Sequence, residues 1–426
     1  MAHLTSRNGY AQLIERLNRF PQGAPPAELL NRILALLFAP REAELVALLP
    51  IKPFAVEDAA KAWKLSLSEA QGILDELSRR ALLVDILQGD RHRYVLPPPM
   101  AGFFEFALMR TRDDIDQKLL SELYHQYIST EDDFIRALFV GGETQFGRVF
   151  VQEPVLSNGQ ALHVLAYERA TEVIENAADI GVGLCYCRHK QSHLGQACNA
   201  PLDNCMTFGT VAASLIRNGY ARRVDKSECL EMLHQAWEAN LVQFGENVQH
   251  DVGFICNCCS CCCEAMLAAQ RFGFERPVHT SNYIAQVEAK CSGCGRCVPV
   301  CPVKIISLES EHGDGRGSKT ARIDEGLCLG CGVCVRNCPR AALRMKERAQ
   351  RLITPVNSSH RVVLMAIERG KLQHLIFDNR VLWSHRALAA LFGVLLSLSP
   401  LKRALASEQI GSRYLGALCE RYTGGP

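Results

Sequence analysis

This 426-residue sequence lacks several features that would assign it to a common class of protein. Its most continuous apolar stretch, residues 387–400, is only about 14 residues long, too short for a membrane span and more typical of a packed helix. The net charge of +2 gives no basis for expecting a surface that coats nucleic acid, or an acidic tail. The N-terminal segment has no apolar core after a basic start, so we expect no secretory signal and a cytoplasmic location.

Cysteine is missing too, but only from part of the chain. Residues 1–184 contain none of the 20 cysteines, whereas eighteen fall in groups between Cys185 and Cys338, and Cys229 and Cys419 stand alone. Cysteines at this density in a reducing compartment indicate metal, cluster or thiol redox chemistry and not a disulfide framework. The hydrophobic content of 48% and the charged content of 22% are typical of a globular protein, with room for two to four domains.

One repeat carries the clearest chemistry. The stretches CSGCGRCVPVCP (residues 291–302) and CLGCGVCVRNCP (residues 328–339) share the pattern C-x₂-C-x₂-C-x₃-C-P. Three thiolates on such a tight loop can occupy three corners of a cubane, while the fourth cysteine points elsewhere. The glycines between them allow backbone amides to approach the cluster sulfurs.

These two stretches resemble a bacterial two-[4Fe–4S] ferredoxin, over residues 287–346. The resemblance implies a one-electron relay, with a redox partner protein as electron donor or acceptor. It also implies that one cluster is bound by Cys291, Cys294, Cys297 and Cys338, and the second by Cys328, Cys331, Cys334 and Cys301. The connection between the runs is longer than in compact ferredoxins, and we predict a hairpin of residues 305–310 and 319–324 around a polar turn at 311–318.

A second cysteine-rich region lies upstream. The stretch CNCCSCCC (residues 256–263) follows Cys185, Cys187, Cys198 and Cys205, whose spacing matches no common zinc knuckle. Arg188, His189, Lys190 and His193 are expected to surround these thiols with positive charge, which favours thiolates. We favour a further iron–sulfur cluster in residues 185–263, with a structural zinc site or a thiol/disulfide relay as alternatives. The candidate ligands are Cys185, Cys187, Cys198, Cys205, Cys256 and either Cys258 or Cys259. Because the backbone separates adjacent side chains, some of Cys261, Cys262 and Cys263 are expected to serve other roles.

The N-terminal residues predict a different module. Two short helices, the second capped by Ser68, and a hairpin near residues 84–96 together resemble a winged helix. The second helix is nearly neutral, so we favour a protein-contact role and do not expect nucleic acid as a partner. A further helix is predicted from Tyr167 to Gly181, leading directly into Cys185.

The predicted fold class is therefore α+β and multidomain. Its parts are a winged-helix-like domain (1–98), a mixed α/β cysteine-rich domain (107–285), a ferredoxin-like dicluster domain (286–347) and C-terminal helices (355–426). The predicted function is an iron–sulfur electron-transfer protein or an oxidoreductase subunit. The alternative is an iron–sulfur redox-sensing regulator that binds DNA. No residue pattern identifies a substrate or a catalytic side chain.

Overall fold

The computed structural model describes residues 2–89, 91–140, 142–157, 160, 164–310, 319–352 and 354–376. The predicted polar turn at 311–318, Cys419 and the part of the predicted C-terminal helices beyond residue 376 lie outside the described residues. The described helices are α1 (Ala2–Leu17), α2 (Glu28–Leu37), α3 (Pro40–Val46), α4 (Val56–Trp63), α5 (Leu67–Arg79), α6 (Phe104–Phe106), α7 (Gln117–Tyr124), α8 (Asp132–Phe139), α9 (Ala170–Asn176), α10 (Tyr186–His193), α11 (Gly209–Arg217), α12 (Lys226–Glu238), α13 (Glu264–Arg271), α14 (Cys297–Val300), α15 (Val333–Arg336), α16 (Ser358–Glu368) and α17 (Leu372–Ile376).

The strands form four sheets. They are β1 (Val84–Gln88), β2 (Arg91–Val95), β3 (Gly147–Val149), β4 (Ile180–Leu184), β5 (Asp203–Phe208), β6 (Arg222–Arg223), β7 (Val242–Glu246), β8 (Phe254–Cys258), β9 (Tyr283–Val287), β10 (Ile306–Ser310), β11 (Lys319–Ile323) and β12 (Leu343–Glu347). Three sheets are antiparallel pairs, β1 with β2, β9 with β12 and β10 with β11, the last being the predicted hairpin.

The largest sheet positions the cysteine-rich region. It has six strands in the order β3-β7-β8-β5-β4-β6, and every neighbouring pair is antiparallel. In such a sheet the end of one strand lies beside the start of its neighbour. The C-terminal ends of β4 and β8 therefore lie beside the start of β5, on the side of the sheet where these strand ends meet. Cys185, Cys205 and Cys258 are found there. The fold brings together cysteines that are up to about seventy residues apart in sequence.

The chain enters this edge on a strand, and the prediction of a helix up to Gly181 is wrong. Helix α9 ends at Asn176, and Gly181 lies in β4 opposite Thr207. A Cβ atom at Gly181 would lie 3.0 Å from both Thr207 Oγ1 and Ala221 Cβ. The strand thus packs too closely for a larger side chain at this position.

The N-terminal helices and hairpin follow the predicted order, with one correction. Ser66, and not Ser68, caps α5: its hydroxyl accepts from the Glu69 amide, and the Glu69 carboxylate accepts from the Ser66 amide. Arg79 pairs with Glu76 at 2.7 Å, and Arg80 pairs with Glu42 at 2.5 Å, so both arginines of the predicted reading helix are engaged by carboxylates. The winged-helix assignment itself stays a prediction.

One buried apolar core runs through most of these elements. It includes Phe38 and Phe103, whose rings meet edge-on at 5.8 Å, and it continues to Leu329 and Val333 in the second cysteine run. The ferredoxin-like part is therefore packed against the rest of the chain and shares its apolar core. Among the helices that the structure describes, none combines the length and the apolar character needed to cross a bilayer.

Candidate metal centres

Two cavities lie between the two ferredoxin-type runs. The first is lined by Cys291, Cys294, Cys297 and Cys338. The second is lined by Cys301, Cys328, Cys331 and Cys334. In each cavity the fourth cysteine of one run therefore stands beside the first three cysteines of the other run. These are the two sets that the resemblance to ferredoxins implies.

Glycine makes room for the loops around these cavities. Gly293 and Gly330 have φ values of +60° and +72°, in the left-handed region that other residues rarely adopt. A Cβ atom on Gly293 would lie 2.0 Å from the Lys319 carbonyl oxygen, and one on Gly330 would lie 2.1 Å from that of Tyr283. Both loops pass so close to a neighbouring backbone that only glycine fits. This cradle and the four thiols per cavity fit the ligand requirements of a [4Fe–4S] cluster.

The two cysteine sets differ in their access to solvent. Cys294 is exposed, and Cys291 and Cys338 are half-buried, whereas all four cysteines of the second set are buried. Burial raises the pKa of Cys331 to about 12, and burial also raises the pKa of Cys334. Thiols in such surroundings hold their protons until a metal displaces them.

Backbone amides also reach the sulfurs. The Ala321 amide donates to Cys291 Sγ at 3.5 Å, and the Ala342 amide donates to Cys338 Sγ at 3.2 Å. Hydrogen bonds of this kind stabilise the negative charge that a thiolate-ligated cluster carries, and they tune its potential.

The other ten clustered cysteines divide into two groups, which the sequence did not reveal. Six of them form a series in which each thiol hydrogen-bonds the next. We call this series the six-thiol chain; its order is Cys185, Cys187, Cys263, Cys258, Cys256 and Cys205. It includes five predicted ligands and adds Cys263, the residue that caps the N-terminus of α13.

Hydrogen bonds along the six-thiol chain favour thiolates at two of its members. Hydrogen bonds with Cys205 and Cys258 lower the pKa of Cys256 well below its ordinary value. Hydrogen bonds with Cys187 and Cys258 lower the pKa of Cys263 to about 6. Burial raises the pKa of Cys187, so thiols and thiolates alternate along part of the series. Thiolate is the form that binds metal.

The remaining four cysteines form a compact set, here called the four-thiol group: Cys198, Cys259, Cys261 and Cys262. All four sulfurs lie within 4.8 Å of one another. The prediction that adjacent cysteines point apart is wrong here, because Cys261 Sγ and Cys262 Sγ are 3.6 Å apart. Residues 260–262 form a turn, and the curved backbone brings neighbouring side chains to one side.

Arg188 lies between the two groups. Its guanidinium donates to the Asn257 carbonyl oxygen at 2.7 Å and to Asn204 Oδ1 at 3.1 Å, and it also bonds Cys259. Hydrogen bonds from Cys262 and then from Arg188 lower the pKa of Cys259 to about 3. Arg188 is only 1% exposed, so its positive charge acts in a poorly solvated setting.

The other three predicted cations face different partners. Lys190 pairs with Glu264, His189 lies 2.8 Å from the Leu108 carbonyl oxygen, and His193 contacts His189. Of the four basic side chains that sequence analysis placed around the thiols, Arg188 is the one for which the structure gives a hydrogen bond to a cysteine.

The Gln270 side chain joins the cysteine-rich loop to the ferredoxin-type runs. The amide nitrogen of Gln270 donates to the Ser260 carbonyl oxygen at 2.7 Å and to the Pro302 carbonyl oxygen at 2.8 Å. Ser260 lies within the four-thiol segment, and Pro302 follows Cys301 directly. The second ferredoxin-type set is thus held beside the four-thiol group.

One large cavity reaches the end of the six-thiol chain. It has a volume of about 920 Å³, and its walls include Cys205, Cys256, Glu105 and Val211. Glu105 accepts a hydrogen bond from the Ala101 amide at 3.1 Å, and burial raises its pKa to about 8. A cavity of this size can hold a drug-sized organic molecule.

Residues 290–342 match the family model of a 4Fe-4S dicluster domain. The chain thus contains a ferredoxin-type dicluster segment within a larger protein. No curated protein matches the chain, and neither does any solved structure.

Proposed function

We propose that this chain is an iron–sulfur electron-transfer protein or an oxidoreductase subunit that carries two [4Fe–4S] clusters in residues 290–342 and a further iron–sulfur centre on the six-thiol chain. When bound, such clusters supply one-electron transfer. The observation that carries the proposal is the pairing of each fourth cysteine with the opposite run: Cys338 lines a cavity with Cys291, and Cys301 lines a cavity with Cys328.

In this function the polypeptide positions the cysteine ligands and surrounds the clusters. Gly293 and Gly330 let the loops close over the cavities, and the Ala321 and Ala342 amides direct positive dipoles at sulfur. The buried set around Cys331 faces the cysteine-rich domain through Gln270, whereas the other set opens toward solvent at Cys294. This asymmetry suits a relay with one end for a partner and one end for the interior.

The exposed end has the charge of a docking surface for an acidic redox protein. Arg296 and Arg340 both line the cavity of the exposed set, and both are exposed to solvent, as is Lys319 nearby. Among the described residues near this surface, Glu288 is engaged by Lys290 at 3.1 Å and by Arg344 at 3.3 Å, and Glu309 is engaged by Arg322 at 2.8 Å. Complementary charge speeds the encounter of electron-transfer partners. We propose a cytoplasmic one-electron carrier with an acidic face as the partner. None of the described cysteines forms a disulfide, as expected in a reducing compartment.

The large cavity favours an oxidoreductase subunit over a simple carrier, because it gives a small molecule room to lie beside Cys205 and Cys256. Narrowing it with Val211→Trp should slow reoxidation of the dithionite-reduced protein by the small acceptor dichlorophenolindophenol. Reoxidation by cytochrome c, which is too large to enter, should not change. If the variant is reoxidised by each acceptor as fast as the parent is, a simple carrier is favoured.

The ligand sets can be tested by electron paramagnetic resonance of the reduced protein. Cys301→Ser and Cys328→Ser should perturb the same cluster signal, while Cys338→Ser should perturb the other signal. Cys229→Ser is the matched control, because Cys229 is buried in a separate apolar cluster with Leu233. If Cys338→Ser and Cys328→Ser perturb one shared signal, each run binds its own cluster and the crossed assignment is wrong.

A further inference from the structure

We infer that the four-thiol group is a mononuclear metal site, in which Cys198, Cys259, Cys261 and Cys262 hold one zinc or iron ion as four thiolates. This site is separate from any centre on the six-thiol chain. The inference goes beyond the proposed function and does not depend on it.

The spacing of the sulfurs fits one metal ion. Zinc–thiolate bonds of about 2.3 Å in a tetrahedron place the sulfurs roughly 3.8 Å apart. Cys261 Sγ lies 3.6 Å from Cys262 Sγ, and Cys262 Sγ lies 3.9 Å from Cys198 Sγ. Tetrahedral four-sulfur sites bind zinc or iron in preference to harder metals.

The ferredoxin-type sets provide an internal comparison. A cubane occupies the space between its four ligands and therefore holds the thiolates further apart than a single ion does. Among the described residues, the four-thiol group is the one group of potential metal ligands whose members all lie within 4.8 Å of one another. In neither ferredoxin-type set are three sulfurs so close together, and both sets surround a cavity. The same chain thus contains two distinct ligand spacings.

The surroundings also suit a metal ion with four thiolates. Cys259 and Cys262 are buried against Ala236 and Leu241, whereas Cys261 is exposed, which leaves an entry path from solvent. Four thiolates around a divalent ion leave a net charge of about −2. The Arg188 guanidinium, bonded to Cys259, offsets part of that charge from the buried side.

The position of the site indicates what it does for the rest of the protein. Residues 259–262 are flanked directly by Cys258 and Cys263, two neighbouring members of the six-thiol chain whose sulfurs lie 3.0 Å apart. A metal ion that fixes this turn to Cys198 also fixes the spacing of Cys258 and Cys263. The same turn is bonded to Gln270, so the ion braces the junction with the ferredoxin-type runs.

The test removes the four thiols together. In the full chain, Cys198→Ser/Cys259→Ser/Cys261→Ser/Cys262→Ser should lose one zinc or one iron per chain by elemental analysis, with the same acid-labile sulfide content as the parent. Cys229→Ser should lose neither. Loss of several irons together with as many sulfides, without loss of zinc or of iron in excess of sulfide, would show a cluster at this site and overturn the inference. An unchanged metal content would overturn it as well.

A measurement on the parent protein covers the case in which the quadruple variant fails to fold. X-ray absorption at the zinc edge should show four sulfur neighbours at about 2.3 Å; if the ion is iron, Mössbauer spectra should contain a minor mononuclear iron–thiolate component. Absence of both signals would refute the site. Absence of labile sulfide would instead refute the proposed clusters, so the two failures are distinguishable.

Discussion

Lys190 and Glu264 form an ion pair inside the protein, with side chains that are 0% and 3% exposed. The Ser129 hydroxyl lies 2.7 Å from the ammonium and 3.0 Å from the carboxylate, so the pair is also hydrogen-bonded. Lys190 belongs to α10, which carries Cys187, and Glu264 begins α13, which follows Cys263. The pair therefore holds α10 beside the start of α13, and Cys187 and Cys263 at these two places are neighbours in the six-thiol chain.

Glu264→Gln should destabilise the protein by about 3–5 kcal/mol, because it leaves the buried Lys190 charge without an opposite charge. The double variant Lys190→Met/Glu264→Leu should be markedly less destabilised, since it removes both charges at similar volume. Urea unfolding without oxygen measures both effects. Arg322→Met is the control, because its pair with Glu309 is exposed and such pairs contribute under about 1 kcal/mol. A double variant as unstable as Glu264→Gln would show that packing, and not charge, dominates here.

Gly330→Ala should lower the iron content of the purified protein, because its Cβ atom would meet the Tyr283 carbonyl oxygen at 2.1 Å. Gly195→Ala is a matched control, since Gly195 has nearly the same φ, +69°, but has no atom within 4 Å of the added Cβ. That variant should lose only about 1–2 kcal/mol from backbone strain and keep its iron. Equal iron loss in both variants would mean that backbone conformation, and not the close approach, explains the glycine.

Arg296→Glu/Arg340→Glu should slow reduction by an acidic ferredoxin at least about tenfold at low ionic strength, because electrostatic steering raises association rates by that order or more. The difference from the parent should shrink as salt is added. Stopped-flow reduction measures it, with Arg41→Glu, an exposed charge change outside this surface, as the control. A rate that does not respond to the double charge reversal would place the docking surface elsewhere.

Glu105 predicts a specific pH dependence of stability. Its carboxyl has an ordinary pKa of 4.5 in the unfolded chain and a pKa of about 8 in the folded protein, where burial and the nearby Cys256 raise it. The folded group thus keeps its proton longer, and its contribution to stability is complete below pH 4.5 and is lost as the pH rises to about 8. The slope is at most about 1.4 kcal/mol per pH unit. Glu105→Gln should remove this contribution to the pH dependence of stability, measured by urea unfolding between pH 5 and 9. If the variant and the parent depend on pH in the same way, the raised pKa of Glu105 is contradicted.

The ferredoxin-type runs could be read from the sequence because their chemistry is local. Three ligands sit within seven residues of each other, and the spacing alone limits which metal centre fits, so the dicluster segment was predictable. The hairpin of β10 and β11 was predicted from the polar turn between its two sides, which is also a local feature.

The grouping of the other cysteines could not be read in this way, because it depends on the sheet. Cys185 and Cys205 meet Cys256 through strands that pair at one edge, and no spacing rule anticipates that pairing. Some of Cys261, Cys262 and Cys263 were expected to have other roles because an extended backbone separates adjacent side chains, whereas the chain turns at residues 260–262. Ser66, and not Ser68, caps α5 because the helix begins at Leu67, two residues earlier than a helix capped by Ser68 would begin.

The most direct test of a multi-cluster protein is the iron and acid-labile sulfide content per chain after purification without oxygen. Two clusters in residues 290–342 and a third on the six-thiol chain predict about 12 iron and 12 sulfide, with at most one additional iron from the four-thiol group. Removing Cys205 and Cys256 together by serine substitution should lower both values to about 8. Four or fewer irons in the parent protein, or iron without sulfide, would contradict the account.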